Sequence, residues 1–130
     1  MDKTVIVIIL VIILAGVGFW VWQSGVFVVK PVVPTPLPEG IVLFYGQGCS
    51  HCKIVDDFIA ENKIIEKIKI TQLEVWFNKS NAALLGQVAV DCKIDVSSGV
   101  GVPFLYDGSG KCYVGDVDAI NFLKNETDSK

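Results

Sequence analysis

With 130 residues the chain has room for one domain and an appendage, and its formal net charge of −3 comes with eleven lysines and no arginine. Lacking the side chain best suited to bidentate phosphate contacts, and with its lysines scattered, the chain offers no footprint for nucleic acid. Four cysteines in so small a protein lean towards an oxidising compartment, although a redox enzyme can carry them anywhere.

Thr4 to Val29 contains no charged residue, and Val5 to Phe19 is almost purely aliphatic. Roughly 20 apolar residues in a helix cross a hydrocarbon core of about 30 Å. Trp20 and Trp22 fall where an aromatic belt meets the headgroups. A cleaved signal peptide competes with a permanent anchor. The length of the run, an n-region with Lys3 alone and the lack of a small-x-small cleavage site weigh against it. Residues 1–29 are therefore read as a single-pass transmembrane anchor. Lys3 and the α-amino group tilt the orientation towards N-terminus inside and domain outside, which predicts an extracytoplasmic domain. Residues 30–40 carry four of the five prolines and read as an extended, polyproline-like linker.

From Ile41 the pattern is mixed α/β. Ile41 to Tyr45 is a continuous apolar run, expected of a central strand buried on both faces. A helix follows, with Ile54, Val55, Phe58 and Ile59 as its apolar stripe and Asn62-Lys63 at its end. Lys67 to Val75 reads as a second strand with a bulge near Thr71-Gln72, giving a right-handed βαβ crossover. Asn78 to Asn81 is a capping cluster ahead of a helix from Ala82 to Cys92, with Leu84, Leu85, Val88 and Ala89 inward. Val102 to Tyr106 and Lys111 to Val114 read as a hairpin about Asp107-Gly108-Ser109-Gly110. Gly115-Asp116 caps a closing helix, Val117 to Lys124, whose apolar face is Val117, Ile120 and Leu123 with Phe122 beside it. Residues 125–130 are expected to be a disordered tail.

Chemistry concentrates at Tyr45-Gly46-Gln47-Gly48-Cys49-Ser50-His51-Cys52-Lys53, where a strand hands over to a helix. Cys-x-x-Cys spacing puts both sulfurs within one helical turn. In the first turn Cys49 meets unpaired N–H groups and the positive end of the helix dipole, which stabilise its thiolate. The thiolate is the form that attacks a disulfide, so Cys49 is the expected nucleophile and Cys52, one turn in, the resolving thiol. Half of a structural zinc site is the competing use of this spacing. Cys92 and Cys112 are single and far apart, which gives zinc no support, and no metal or other cofactor is expected.

The order βαβ, α, ββα with Cys-x-x-Cys after the first strand resembles the thioredoxin superfamily over Ile41 to Lys124. Phe44-Tyr45-Gly46-Gln47-Gly48-Cys49-Ser50-His51-Cys52 is similar to that family's active-site entry. Gly101-Val102-Pro103 is similar to its cis-proline loop, and Tyr113-Val114-Gly115-Asp116-Val117-Asp118 to the glycine–aspartate segment of glutaredoxins. The resemblance implies a thioredoxin-like fold: a four-stranded mixed sheet flanked by helices, preceded here by the transmembrane helix. It also implies a cis Pro103, substrate binding by Val102 and Pro103, and glutathione contacts at Gly115 and Asp116. Two residues depart from typical thioredoxins. Gly48 stands where they carry tryptophan, and Leu43 where they carry a buried acid that takes the proton of the resolving cysteine. Ser50-His51 resembles the Cys-x-His-Cys of disulfide isomerases, and a cationic His51 would make the disulfide more oxidising. In this fold Cys92 and Cys112 lie at the pole away from the active site, either joined as a structural disulfide or as two free buried thiols.

The expected function is a membrane-tethered thiol–disulfide oxidoreductase exchanging disulfides with protein substrates, recycled by a membrane redox partner. The alternatives are a cytoplasm-facing, glutaredoxin-like reductase using glutathione or another small thiol, and a non-enzymatic recruitment module.

Overall fold

The computed structural model describes residues 2–23 and 36–129, and the chain divides into two units, Met1–Val32 and Val33–Lys130. Residues 24–29 of the expected anchor and 30–35 of the expected linker lie outside the described residues, as does the side chain of Trp22. In the first unit an apolar run without a polar face forms helix α1, Lys3–Gln23. Its window Lys3–Trp20 has a mean hydropathy of 2.5 with nothing buried, so this helix is long and apolar enough to span a membrane.

The second unit has the order β1 (Ile41–Tyr45), α2 (Ser50–Glu61), α3 (Ile64–Lys67), β2 (Ile70–Glu74), α4 (Lys79–Asp91), β3 (Phe104–Tyr106), β4 (Cys112–Val114) and α5 (Asp116–Asp128). The sheet order is β2-β1-β3-β4, with β1 and β2 parallel and the other two pairings antiparallel. Alternation along β1 divides its side chains between two cores. Val42 and Phe44 face α4 through Val75, Leu84, Leu85, Val88 and Ala89, with Phe104 edge-on to Phe44. Leu43 faces the opposite way, among Val55, Ile59, Ile64, Leu105 and Leu123, which cover that side with α2, α3 and α5. Burial on both faces is why β1 reads as an unbroken apolar run.

Several local expectations are corrected. β2 starts at Ile70 and pairs residue for residue with β1, so no bulge interrupts it. The stretch before it is instead a short helical turn, α3, entered through Lys63 at φ 52°. Along α2 it is Cys52, Val55 and Ile59 that are buried, while Ile54 is exposed. α5 runs on to Asp128, and its buried residues are Ala119 and Leu123, whereas Val117 is 66% exposed.

The register sets what meets at one end of the sheet. Tyr45 pairs with Glu74, Phe44 with Phe104, and Phe104 with Val114. The segment after β1, the segment after β2, the approach to β3 and the exit from β4 therefore converge there. At the other end, Cys92 caps α4 and Cys112 opens β4, and a disulfide joins them with their Cα atoms 6.0 Å apart.

Candidate functional site

Cys49 is the N-cap of α2, with extended backbone at φ −73° and ψ 120°. Its backbone N–H donates to the Gly46 carbonyl at 3.1 Å, which tightens the turn between strand and helix. Gly48 makes that turn at φ +88°, a left-handed conformation that a tryptophan would hold only under strain. The same turn aims the Cys49 sulfur into the open first turn of the helix, where Sγ accepts the backbone N–H of Cys52 at 3.2 Å. One of the orphan donors of the helix start is thus spent on sulfur.

Cys49 is half-buried, whereas Cys52 is 2% exposed; both thiols are free, and the two cysteines approach to 2.5 Å. Burial, followed by the hydrogen bond with Cys49, pushes the Cys52 thiol up to about 12. The pair is therefore asymmetric, with one sulfur placed to receive helix N–H groups and one held protonated in the core. Cys49 Sγ also donates to the Val102 carbonyl at 3.7 Å. The Val102–Pro103 peptide is cis, and the Pro103 carbonyl accepts the Gly115 N–H at 2.8 Å.

His51 and Ser50 are exposed on the first turn of α2. His51 Nδ1 lies 3.4 Å from Asp116 Oδ2. The hydrogen bond from His51 holds the Asp116 carboxyl below the usual carboxylate range, and the N–H groups at the start of α5 add to this. Asp116, which the resemblance to glutaredoxins implies as a glutathione contact, faces His51 through its carboxylate. Cys49, Cys52, His51, Val102, Pro103, Gly115 and Asp116 meet at one end of the sheet, while Cys92 and Cys112 are at the other.

Two further residues, Glu74 and Asp56, join the site without having been singled out for it from the sequence, where Asp56 reads only as part of the polar side of its helix. Glu74, the last residue of β2, accepts the backbone N–H groups of Gln47 (3.3 Å), Trp76 (2.8 Å), Phe77 (2.9 Å) and Asn78 (3.1 Å). Desolvation raises its carboxyl, but those N–H groups outweigh it and leave the group below its ordinary value. This bracket ties the cysteine loop to the turn carrying the exposed Trp76 and Phe77, and the Trp76 indole lies against Gly46. A carboxylate bonded only to backbone has no partner side chain, so no spacing signal betrays it. The other is Asp56, which lines a cleft of about 300 Å³ together with Cys49 and Cys52. Among the described residues no cluster of three or more His, Cys, Asp or Glu side chains could hold a metal ion.

No protein-family model matches this chain, and no curated protein is detectably similar to it in sequence.

Proposed function

We propose that the domain is a thioredoxin-like thiol–disulfide oxidoreductase, tethered to a membrane by α1 and acting on protein thiols and disulfides on the extracytoplasmic side. The observation that carries this is the Cys49 sulfur at the N-cap of α2, accepting the Cys52 N–H at 3.2 Å beside a buried partner thiol. Such a sulfur sits half-exposed at the helix start, where an incoming disulfide can reach it, and the buried thiol waits until a mixed disulfide brings its target into reach. The sheet order β2-β1-β3-β4, with helices on both faces and the Val102 carbonyl against Cys49, supports the thioredoxin-like reading.

In the reducing direction the Cys49 thiolate attacks a substrate disulfide, forming a Cys49–substrate bond and releasing one substrate thiolate. Cys52 then attacks Cys49 Sγ, the Cys49–Cys52 disulfide forms, and the second substrate thiolate leaves. Two electrons pass from the dithiol to the substrate; the oxidising direction is the reverse. Protein substrates are favoured over glutathione because Asp116 is engaged by His51 and Lys53, lining the cleft, is held by Asp57 at 2.6 Å. A membrane oxidoreductase would restore the pair after each turnover.

The test is mixed-disulfide trapping by the full chain in detergent. Cys52→Ser accumulates a reductant-sensitive adduct with a disulfide-bonded protein, and Cys49→Ser gives none. Equal adduct in both variants would sink the assignment. Titration of the wild type against glutathione should give a potential near that of disulfide isomerases, about −180 mV. A strongly reducing value would favour a cytoplasm-facing reductase.

A further inference from the structure

Within the proposed thiol–disulfide exchange, the second step raises a problem of proton flow. Cys52 is buried, its thiol is held far on the protonated side, and a neutral thiol does not attack a disulfide. The first strand offers no acid: Leu43 points into the core on the α2 side, among Val55, Ile59 and Leu105. The proton must leave by another route.

We infer that Asp56 is the group that takes the proton from Cys52 as the mixed disulfide resolves. The two residues are four apart on α2, which places their side chains on one face of the helix with Cβ atoms about 6 Å apart. Both line the cleft of about 300 Å³ that opens at Cys49, so a proton passing between them stays within one cavity that reaches solvent. The titratable groups lining that cleft are Tyr45, Cys49, Cys52, Lys53 and Asp56, and Asp56 is its only carboxylate. Lys53 is turned to Asp57, which leaves the Asp56 carboxylate as the acceptor that the cleft presents to Cys52. Asp56 is half-buried, and its burial, reinforced by the Asp57 charge, raises its carboxyl above the ordinary range although Lys53 offsets part of the rise. A carboxylate so placed is a stronger base than one in water and lies closer in proton affinity to the thiol it serves.

The step balances as follows. The Cys52 S–H bond breaks, its proton passes to the Asp56 carboxylate, and the sulfur keeps the electron pair. That pair forms the new bond to Cys49 Sγ while the Cys49–substrate bond breaks, and the substrate sulfur leaves with the electrons. Asp56 afterwards releases the proton to solvent. When the domain oxidises a substrate dithiol, the protonated Asp56 returns the proton to Cys52 as that sulfur is expelled.

The experiment follows decay of the mixed disulfide in the full-length protein in detergent, by quenched-flow acid trapping between pH 5 and 9. Asp56→Asn is expected to slow decay at least about tenfold at pH 7, with its rate rising towards the wild type as the pH is raised. Asp56→Glu is expected to restore most of the rate. Formation of the Cys49 adduct, measured in the Cys52→Ser background, should be unaffected by Asp56→Asn. Decay in Asp56→Asn within twofold of the wild type and with the same pH profile would overturn the role of Asp56 while leaving the exchange reaction intact. No Cys49 adduct in any protein, wild type included, would remove the exchange reaction and this role together. Loss of rate in Asp56→Asn that Asp56→Glu does not recover, with an unaltered pH profile, would mark a purely structural effect and also overturn it.

Discussion

His51 Nδ1 stands 3.4 Å from Asp116 Oδ2, so the side chain between the two cysteines is held by the first residue of α5. A cation there stabilises the thiolate and with it the reduced dithiol. His51→Ala should therefore make the pair more reducing, by on the order of 30 mV for a tenfold change in equilibrium constant. The Asp116 carboxyl is held low by its bond with His51, so pairing stabilises the fold above the ordinary carboxylate value and the contribution fades as pH falls through the lowered one. Asp116→Asn should lower the Tm near pH 6, with the difference closing below about pH 4. An unchanged gap at low pH would show that the pair is not its source.

Glu74 holds four backbone N–H groups from two loops. Glu74→Ala leaves both loops without a common acceptor, and hydrogen exchange at Gln47 and Phe77 should quicken while the amides of β1 and β3 stay protected. Because the Glu74 carboxyl is held low, the same loosening should appear in the wild type on acidification, and only below the ordinary carboxylate range. Uniform loss of protection across the sheet would point instead to global destabilisation.

Gly46 is buried, and a Cβ there would overlap the Trp76 indole. Gly46→Ala should drive the ring off the cysteine loop, which an altered Trp76 fluorescence would report. Trp76→Ala removes the obstacle, so the double variant should be more stable than the sum of the two single effects predicts, by about 1 kcal/mol in a denaturant cycle. Strict additivity would mean that the ring does not sit on Gly46 in solution.

The Cys92–Cys112 disulfide closes a loop with a sequence separation of 20. Loop-closure entropy attaches about 3 kcal/mol to a loop of that size. Replacing both cysteines with serine should lower unfolding stability in urea by about that amount without altering adduct formation at Cys49. Denaturing alkylation without reductant should label only Cys49 and Cys52 in the reduced protein; four labelled sulfurs would refute the bond.

β1, the turn into α2 and the inward face of α4 were legible because each rests on a strong local signal: an apolar run, Cys-x-x-Cys after it, and Leu84, Leu85, Val88 and Ala89 at helical spacing. Misreadings fell where local signals were evenly balanced. Ile64, Ile65, Ile68 and Ile70 suit a strand as well as a turn of helix, and only the αL entry at Lys63 and the pairing of Ile70 with Ile41 separate α3 from β2. In α5 the large Val117 and Ile120 attracted the inward assignment. The close approach of α5 to the core instead admits Ala119 at its centre and leaves Val117 in solvent. At the site, the cysteines, His51 and the Val102–Pro103 segment could be named from sequence. The bracket at Glu74 and the cleft joining Asp56 to Cys52 arise only from how separate segments close on one another.

β1 lies between β2 and β3, and Cys49 follows it by only a short turn. A partner chain covalently held at Cys49 and drawn away would therefore load β1 along its length. An edge strand peels, losing its hydrogen bonds one after another, whereas a strand gripped on both sides must shear two ladders at once. Tension applied at Cys49 would thus meet two ladders in shear rather than a single edge ladder in peeling.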